Sequence, residues 1–408
     1  MHDSLKKVRF SIKPSISEEG NTIELARTMS VHPLTYQELP YNPEYSQYAG
    51  RLTTEKLTNA TADEMYWKTK KEIILRHTGE HPYEISGTDA LKFLQKIFPR
   101  DISKVKQGKC SYQFACYHDG GMITDGLLLC LNEYRYWFVQ ADGDLFSWFK
   151  ANAEGLNVKI HDPNVWVSQI QGPNSMKLLD HLIEEPLTNT WKYFDWAEVT
   201  IANEKVMISR TGFTNELGWE IYFRPENNSE KLGDLILAEG SKMGMILTAT
   251  PSFRGRRIEA GLLSAGQDFT SDTNPFSVGL GKFVDLEKKY FIGKKALILA
   301  DKNCRSWGIR VVDGVALKGK SIKLNGKLIG RVTSSTWSPF QVCGVGIVFL
   351  DKAEIGPRAI VDVQCTDGKI HKGEICSLPM YDPKGEIVRG INKNIPIKPE
   401  PWKGVKKI

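Results

Sequence analysis

The segment Ser111-Tyr-Gln-Phe-Ala-Cys-Tyr-His-Asp-Gly-Gly-Met-Ile-Thr-Asp-Gly-Leu-Leu-Leu-Cys-Leu131 reads as strand, turn, strand. Asp119-Gly120-Gly121 supplies the turn, because these residues tolerate the positive φ that tight hairpins require. With a period of two, Ile123, Asp125, Leu127 and Leu129 share one face of the second strand. Three are apolar and the fourth is a carboxylate. A two-residue loop at Asp119-Gly120 or Gly120-Gly121 places Tyr112, Phe114 and Cys116 on the face that holds Asp125, whereas a three-residue loop flips the relation. Burial beside a tyrosine raises an aspartate pKa, and a cationic or hydrogen-bonding ligand lowers it again. Two readings stand side by side: a partly exposed aspartate at a sheet edge, or a carboxylate held for a ligand.

Working outward, Thr61-Ala-Asp-Glu64 matches a capping box and opens a helix to about residue 75. A short strand over 83–86 follows. Thr88 is placed to cap a helix that carries Leu91, Leu94, Ile97 and Phe98 and stops at Pro99. Residues 166–170 read as a strand entering the Gln171-Gly172-Pro173 turn, and a helix spans about 176–182. Strands over 206–209 and 219–223 flank a glycine-bounded loop, and 256–264 looks helical. From Trp307 onward the pattern is strands with short turns, a separate β-rich C-terminal module. The expected division is an N-terminal arm over 1–50, α+β domains over 51–165 and 166–300, and a β-rich domain over 301–408.

The chain has 408 residues, enough for two or three domains. Charged residues at 25% and hydrophobic residues at 41% exclude a disordered or collagen-like chain. No apolar run approaches the roughly 20 residues of a membrane span, and the first fifteen residues lack the apolar stretch of a secretory signal. The net charge of +6 is spread, with local excess only over 398–407, so neither a nucleic-acid nor a membrane partner is expected. The seven cysteines form no C-x-x-C pair, and Gly79 and Pro82 interrupt the stretch holding the one i,i+4 histidine pair, His77 and His81. Neither a disulfide framework nor a metal is expected, and the compartment expected is the reduced cytoplasm. Phosphate loops, dinucleotide fingerprints and nucleophile elbows are absent. Cys110 and Cys116 read as buried, inert thiols more readily than as nucleophiles.

Other candidates lie beyond the hairpin. After Arg210-Thr-Gly-Phe-Thr-Asn-Glu-Leu-Gly218 the alternation turns Glu220 and Tyr222 to one face and Trp219, Ile221 and Phe223 to the other. A fixed Glu220 can accept two parallel hydrogen bonds from the N–H/NH2 edge of a pterin or guanine ring, or it simply faces solvent. Arg254, Arg256, Arg257 and Glu259 read as the start of a helix, either an ion-paired surface or a clamp for a ligand carboxylate. Trp337-Ser-Pro339 is an exposed turn or a lid over a pocket.

In this order and spacing, Gly120-Gly-Met-Ile-Thr-Asp-Gly126, Ile170-Gln-Gly-Pro173, Arg210 to Glu220, Arg257-Ile-Glu-Ala-Gly261 and Gly330 to Pro339 resemble the glycine-cleavage T-protein (aminomethyltransferase) family over about residues 65–385. Gly108-Lys-Cys-Ser-Tyr112, Arg257 to Phe269 and Asn274-Pro-Phe276 are similar to the branch of that family that demethylates dimethylsulfoniopropionate. The resemblance implies an α+β, three-domain ring around a central tetrahydrofolate cavity, with a C-terminal barrel. It implies that Asp125 lies near N5 of the folate as the catalytic carboxylate and that Glu220 holds the pterin. Tyr112 and Phe213 then line the pocket, Gln171 joins the folate-binding set, and Arg254, Arg257 and Trp337 are candidate donor-binding residues. The chain departs from the T-protein pattern at Thr124, at Phe253 and at Arg76-His77, where aspartate, arginine followed by aspartate, and aspartate are usual.

The function expected is transfer of a methyl group from a small methylated onium compound, similar to dimethylsulfoniopropionate or a betaine, to N5 of tetrahydrofolate. The alternatives are aminomethyl transfer of the glycine-cleavage type and folate binding without turnover. The small-molecule donor is the partner expected, and a homodimer is compatible with the sequence.

Overall fold

The computed structural model describes residues 29–185 and 191–404, without the side chains of residues 251 and 252. The first 28 residues of the expected arm, the signal reading and the last residues of the basic tail lie outside that range.

Three β-assemblies carry the fold. A five-stranded sheet runs in the order Cys110–Cys116, Met122–Asn132, Arg135–Gln140, His81–Ser86, Lys159–His161. A six-stranded sheet runs Trp196–Ile201, Glu204–Ser209, Gly218–Phe223, Trp166–Gln171, Ile74–His77, Ile246–Leu247. The stretch 51–165 therefore contributes strands to both sheets. The C-terminal segment closes into a six-stranded barrel, Ser306–Val311, Cys343–Leu350, Lys327–Ser338, Ser321–Leu324, Ile360–Gln364, Ile370–Cys376. Between residue 29 and the first helix, the chain makes two short 3-10 turns and a hairpin of Glu44–Tyr48 with Arg51–Lys56.

Local signals explain most element ends. Thr61 Oγ1 accepts from the Glu64 amide at 3.2 Å, and the Glu64 carboxylate accepts from the Thr61 amide at 2.7 Å, so the capping box forms. The helix Ala62–Lys71 stops short of the expected residue 75, because Ile74–His77 pairs with Trp166–Gln171 as a strand. The helix Ala90–Ile97 has Asp89 at its N-cap; the Thr88 hydroxyl instead accepts from the Asn157 side chain at 2.8 Å. The helix expected over 256–264 is Thr250–Ala260, and Gly261 ends it in the left-handed region at φ 69°. Its arginines thus lie within the helix.

The hairpin connection has three residues. Tyr117 donates to Gly121 O at 2.8 Å, Gly120 donates to Tyr117 O at 3.0 Å, and Gly120 sits at φ 87°. Alone, that loop would turn Tyr112 away from Asp125. However, Met122 to Asp125 spans one residue more than Cys116 to Phe114 opposite, and this bulge restores the register, pairing Phe114 with Asp125 and Tyr112 with Leu127. The displaced residue is Ile123, which leaves the Asp125 face and packs against the cluster containing Ala115 and Leu128.

Each assembly has its own core. Ile170, Val206, Ile208, Trp219 and Ile221 back the six-stranded sheet, and Phe93, Leu94, Phe98, Phe138 and Phe149 back the five-stranded one. Leu129, Trp137 and Val139 of one sheet meet Val167, Met207 and Tyr222 of the other. Phe114, Cys116 and Met122 of the hairpin pack with Ile258 and the barrel residues Cys343, Val345, Ile347 and Phe349. Apolar contacts thereby close the assemblies into a ring, and polar side chains turned toward its centre line a cavity.

Candidate active site

The cavity has a volume of about 610 Å³, and its wall takes residues from both sheets, the N-terminal hairpin, the helix Thr250–Ala260 and the barrel. Tyr112, Asp125, Phe213, Glu220, Arg254 and Arg257 all line it. Residues 100 positions and more apart in sequence are brought to one space.

Asp125 is buried at 6% exposure, so the sheet-edge reading falls. Tyr112 Oη donates to its Oδ2 at 2.7 Å from the facing strand. Burial pushes the carboxyl up to about 6, and the Tyr112 bond pulls it back. The Tyr112 phenol is itself held well above its ordinary value by burial and by the Asp125 charge.

Glu220 is also buried, so it does not face solvent. Its Oε2 accepts from Thr211 Oγ1 at 2.7 Å and Tyr222 Oη at 2.9 Å, and its Oε1 accepts from Gln169 Nε2 at 3.0 Å. Gln169 Nε2 also donates to Glu80 Oε1 at 3.1 Å. Burial raises both carboxyls, and the nearby Glu220 helps push Glu80 up to about 8. Glu80 Oε2 and Gln169 Oε1 are buried with no hydrogen-bond partner among the described residues. Such orphaned acceptors call for donors from a ligand. An N–H/NH2 ring edge, as in a pterin, provides them, so the residues present fit tetrahydrofolate.

Strand register organises this wall. Ser209 faces Glu220, Glu220 faces Gln169, and Gln169 faces Arg76 across four adjacent strands. Glu80, Gln169 and the place of Arg76 in the cavity wall were not found in the sequence reading; the cross-strand row depends on register between distant segments. Arg76 and Phe253, both departures from the T-protein pattern, come together with the guanidinium carbon 4.5 Å from the ring centroid.

Two expected site residues do not reach the cavity. Gln171 is fully buried beneath the Arg210–Gly218 loop; its amide donates to Thr211 O at 3.2 Å and accepts from Thr214 Oγ1 at 2.7 Å. A Cβ on Gly212 or Gly218 would lie 2.2 Å from that amide, so Gln171 is a brace for the loop carrying Thr211 and Phe213. Trp337 is 42% exposed and is not part of the cavity wall, because its barrel strand turns it outward. The lid reading falls with it.

The arginines sort by partner. Arg256 is fully buried, paired with Glu216 at 2.6 Å and with Glu259, beside Lys70 and Tyr66. Its helix-surface reading is therefore replaced by an interior ion cluster. Arg257 lines the cavity but donates to Asp268 at 2.6 Å and Ser334 at 2.8 Å, pinning its helix to the barrel. Arg254 pairs with Glu55 at 2.8 Å at a half-exposed position. As carboxylate clamps, both are already engaged. Burial raises the Cys110 and Cys116 thiols, as inert cysteines require. Among the described residues, no group of three or more His, Cys, Asp or Glu side chains is placed to hold a metal, and no helix is long and apolar enough to cross a membrane.

Residues 30–288 match the GCVT N-terminal domain, and residues 305–382 match the glycine cleavage T-protein C-terminal barrel domain. The chain belongs to the glycine-cleavage T-protein family and is a tetrahydrofolate-dependent one-carbon transferase. It is 33% identical to the aminomethyltransferase of Halothermothrix orenii, with 74% of this chain and 86% of that one aligned. To the dimethylsulfoniopropionate demethylase of Ruegeria pomeroyi it is 30% identical, over 71% and 80% of the two chains. The fold matches the glycine cleavage system aminomethyltransferase T of Bartonella henselae at a TM-score of 0.78 and 22% identity, covering 87% of this chain and 99% of that one.

Proposed function

We propose that this enzyme moves a methyl group from a small methylated onium compound to N5 of tetrahydrofolate. The observation that carries the reading is Asp125, a buried carboxylate raised to about 6 and bonded to Tyr112, in a cavity that also offers orphaned acceptors beside Glu220. When bound, tetrahydrofolate supplies N5 as the nucleophile. Glu220, Gln169 and Glu80 hold the N–H edge of the ring. Asp125 orients the N5 region, balances the positive charge that grows there and takes up the proton released as the new C–N bond forms. A sulfonium or ammonium leaving atom departs with the electrons of its bond to the methyl carbon. The donor therefore needs alignment more than protonation, and Tyr112 and Phe213 in the wall present faces for its charge.

A second reading, aminomethyl transfer of the glycine-cleavage type, is favoured by a different observation. The aminomethyltransferases of Halothermothrix orenii and Bacillus subtilis stand at 33% and 32% identity, above the demethylase at 30%. Likeness of sequence weighs for aminomethyl transfer, and the chemistry of the cavity weighs for a free methyl donor. Incubation with tetrahydrofolate and either a panel of sulfonium and betaine compounds or an aminomethyl-lipoyl protein separates them. Methyl-folate with a demethylated small molecule supports the first; methylene-folate with ammonia replaces it by the second.

A further inference from the structure

The row Ser209, Glu220, Gln169, Arg76 begins at the pterin-type acceptors and ends on a cation. Adjacent strands lie about 4.8 Å apart, so Arg76 stands roughly 10 Å from Glu220 on the same face. Its Nη2 donates to Thr250 Oγ1 at 2.9 Å and to Thr53 Oγ1 at 3.3 Å. Its Nε is buried without an acceptor. Among the described residues no carboxylate forms an ion pair with it; Glu80, Glu55 and Glu38 act on it only at longer range. The Tyr48 phenol feels both Arg76 and Asp125 and lies in the same wall, which ties the cation to the reacting end of the cavity.

The other cationic side chains of the wall are engaged or solvated. Arg254 is paired with Glu55, Arg257 with Asp268, and Lys282 is exposed. A half-buried cation without an ion pair is costly unless something compensates it. Two threonine hydroxyls and the Phe253 face compensate in part. The donors on Nε and Nη1 remain for an anionic acceptor, while Nη2 is held by the two threonines.

We propose that Arg76 docks an anionic group of the methyl donor, so that the donor is a zwitterion with an onium methyl at one end and a carboxylate at the other. This rests on the methyl-transfer reading for the identity of the ligand as donor. A neutral or singly cationic methyl compound would leave the Arg76 donors unmet. A carboxylate meets them and leaves the onium end free to face Asp125 and the folate.

The test is thermal melting with saturating tetrahydrofolate and matched probes: dimethylsulfoniopropionate against its methyl ester, and glycine betaine against its methyl ester. At least one acid is expected to raise the midpoint and to bind at least about tenfold more tightly than its ester, the scale of one lost charge-assisted hydrogen bond. Arg76→Gln should erase that preference while the shift produced by tetrahydrofolate alone persists. Arg76→Lys keeps the charge but loses the Nε donor, and should retain only part of the preference; it stands in if the glutamine variant melts too low. Esters that bind as tightly as acids, a preference undiminished in both variants, or no binding by any acid would each overturn the proposal. An Arg76-dependent acid preference without methyl-folate would uphold the site and remove the methyl-transfer reading. Methyl-folate formed equally well from an ester would do the reverse.

Discussion

Tyr112 donates its phenolic hydrogen to Asp125 at 2.7 Å from one strand of a hairpin to the other, inside the central cavity. The bond favours the carboxylate form, while burial favours the acid, and the balance lies at about 6. The rate should therefore fall on the acid side of about pH 6. Tyr112→Phe removes the bond to the charged form and should move that limb upward by about one to two pH units. Asp125→Asn should lower turnover by at least about a hundredfold with folate affinity largely kept. A pH–rate profile unchanged in Tyr112→Phe would end the case for this pair.

Glu220→Gln should weaken tetrahydrofolate binding by about tenfold or more, read as a loss of the ligand-induced melting shift. Gln171→Ala should also weaken folate binding, but indirectly, by loosening the loop that presents Thr211 to Glu220. The two effects are expected to be non-additive, because both act through the same carboxylate. Simple additivity in the double variant would separate them.

The charge state of Glu80 gives a pH dependence with a defined sign. Its folded pKa, about 8, lies above the unfolded value near 4.5, so the native state binds the extra proton between those values. That stabilisation is fully present below about 4.5 and is lost as pH rises through about 8. Glu80→Gln should flatten the decline in stability of the ligand-free protein between pH 5 and 9. Denaturant melts across that range check it; parallel curves for both proteins would assign the decline elsewhere.

Gly121 sits where a Cβ would lie 1.9 Å from Ser271 O, a backbone atom that cannot swing away. Gly121→Ala should cost more than about 2 kcal/mol and lower the melting midpoint, since the hairpin must shift off the 271 segment. Activity should fall with it, because that hairpin carries Asp125. A variant with natural stability would show that the contact relaxes freely.

How much of the site was readable varied with the range of the interaction. Glu220 and Tyr222 emerged from alternation along one strand, which the pleat enforces locally. Thr61 and Glu64 formed their capping box for the same reason: the bonds close within one turn. Alternation left the Tyr112–Asp125 face relation open on loop length; the three-residue loop alone would flip it, and a bulge that alternation does not show restores it. Gln171 and Trp337 were misplaced because belonging to a matching motif does not say which way a side chain points. Gln171 supports the loop from below, and Trp337 lies on the outer side of the barrel strand.

The order of short-range patterns along the chain was sufficient for the α+β class and the β-rich C-terminal module. Periodicity and turn chemistry act over a few residues and need no partner. Only tertiary structure decided that Arg254 and Arg257 are engaged by Glu55 and Asp268, that Arg76 has no carboxylate ion pair among the described residues, and that Glu80 joins Glu220 through Gln169. Whether a charge is paired, solvated or stranded depends on segments distant in sequence meeting in a low-dielectric interior, and no local pattern carries that information.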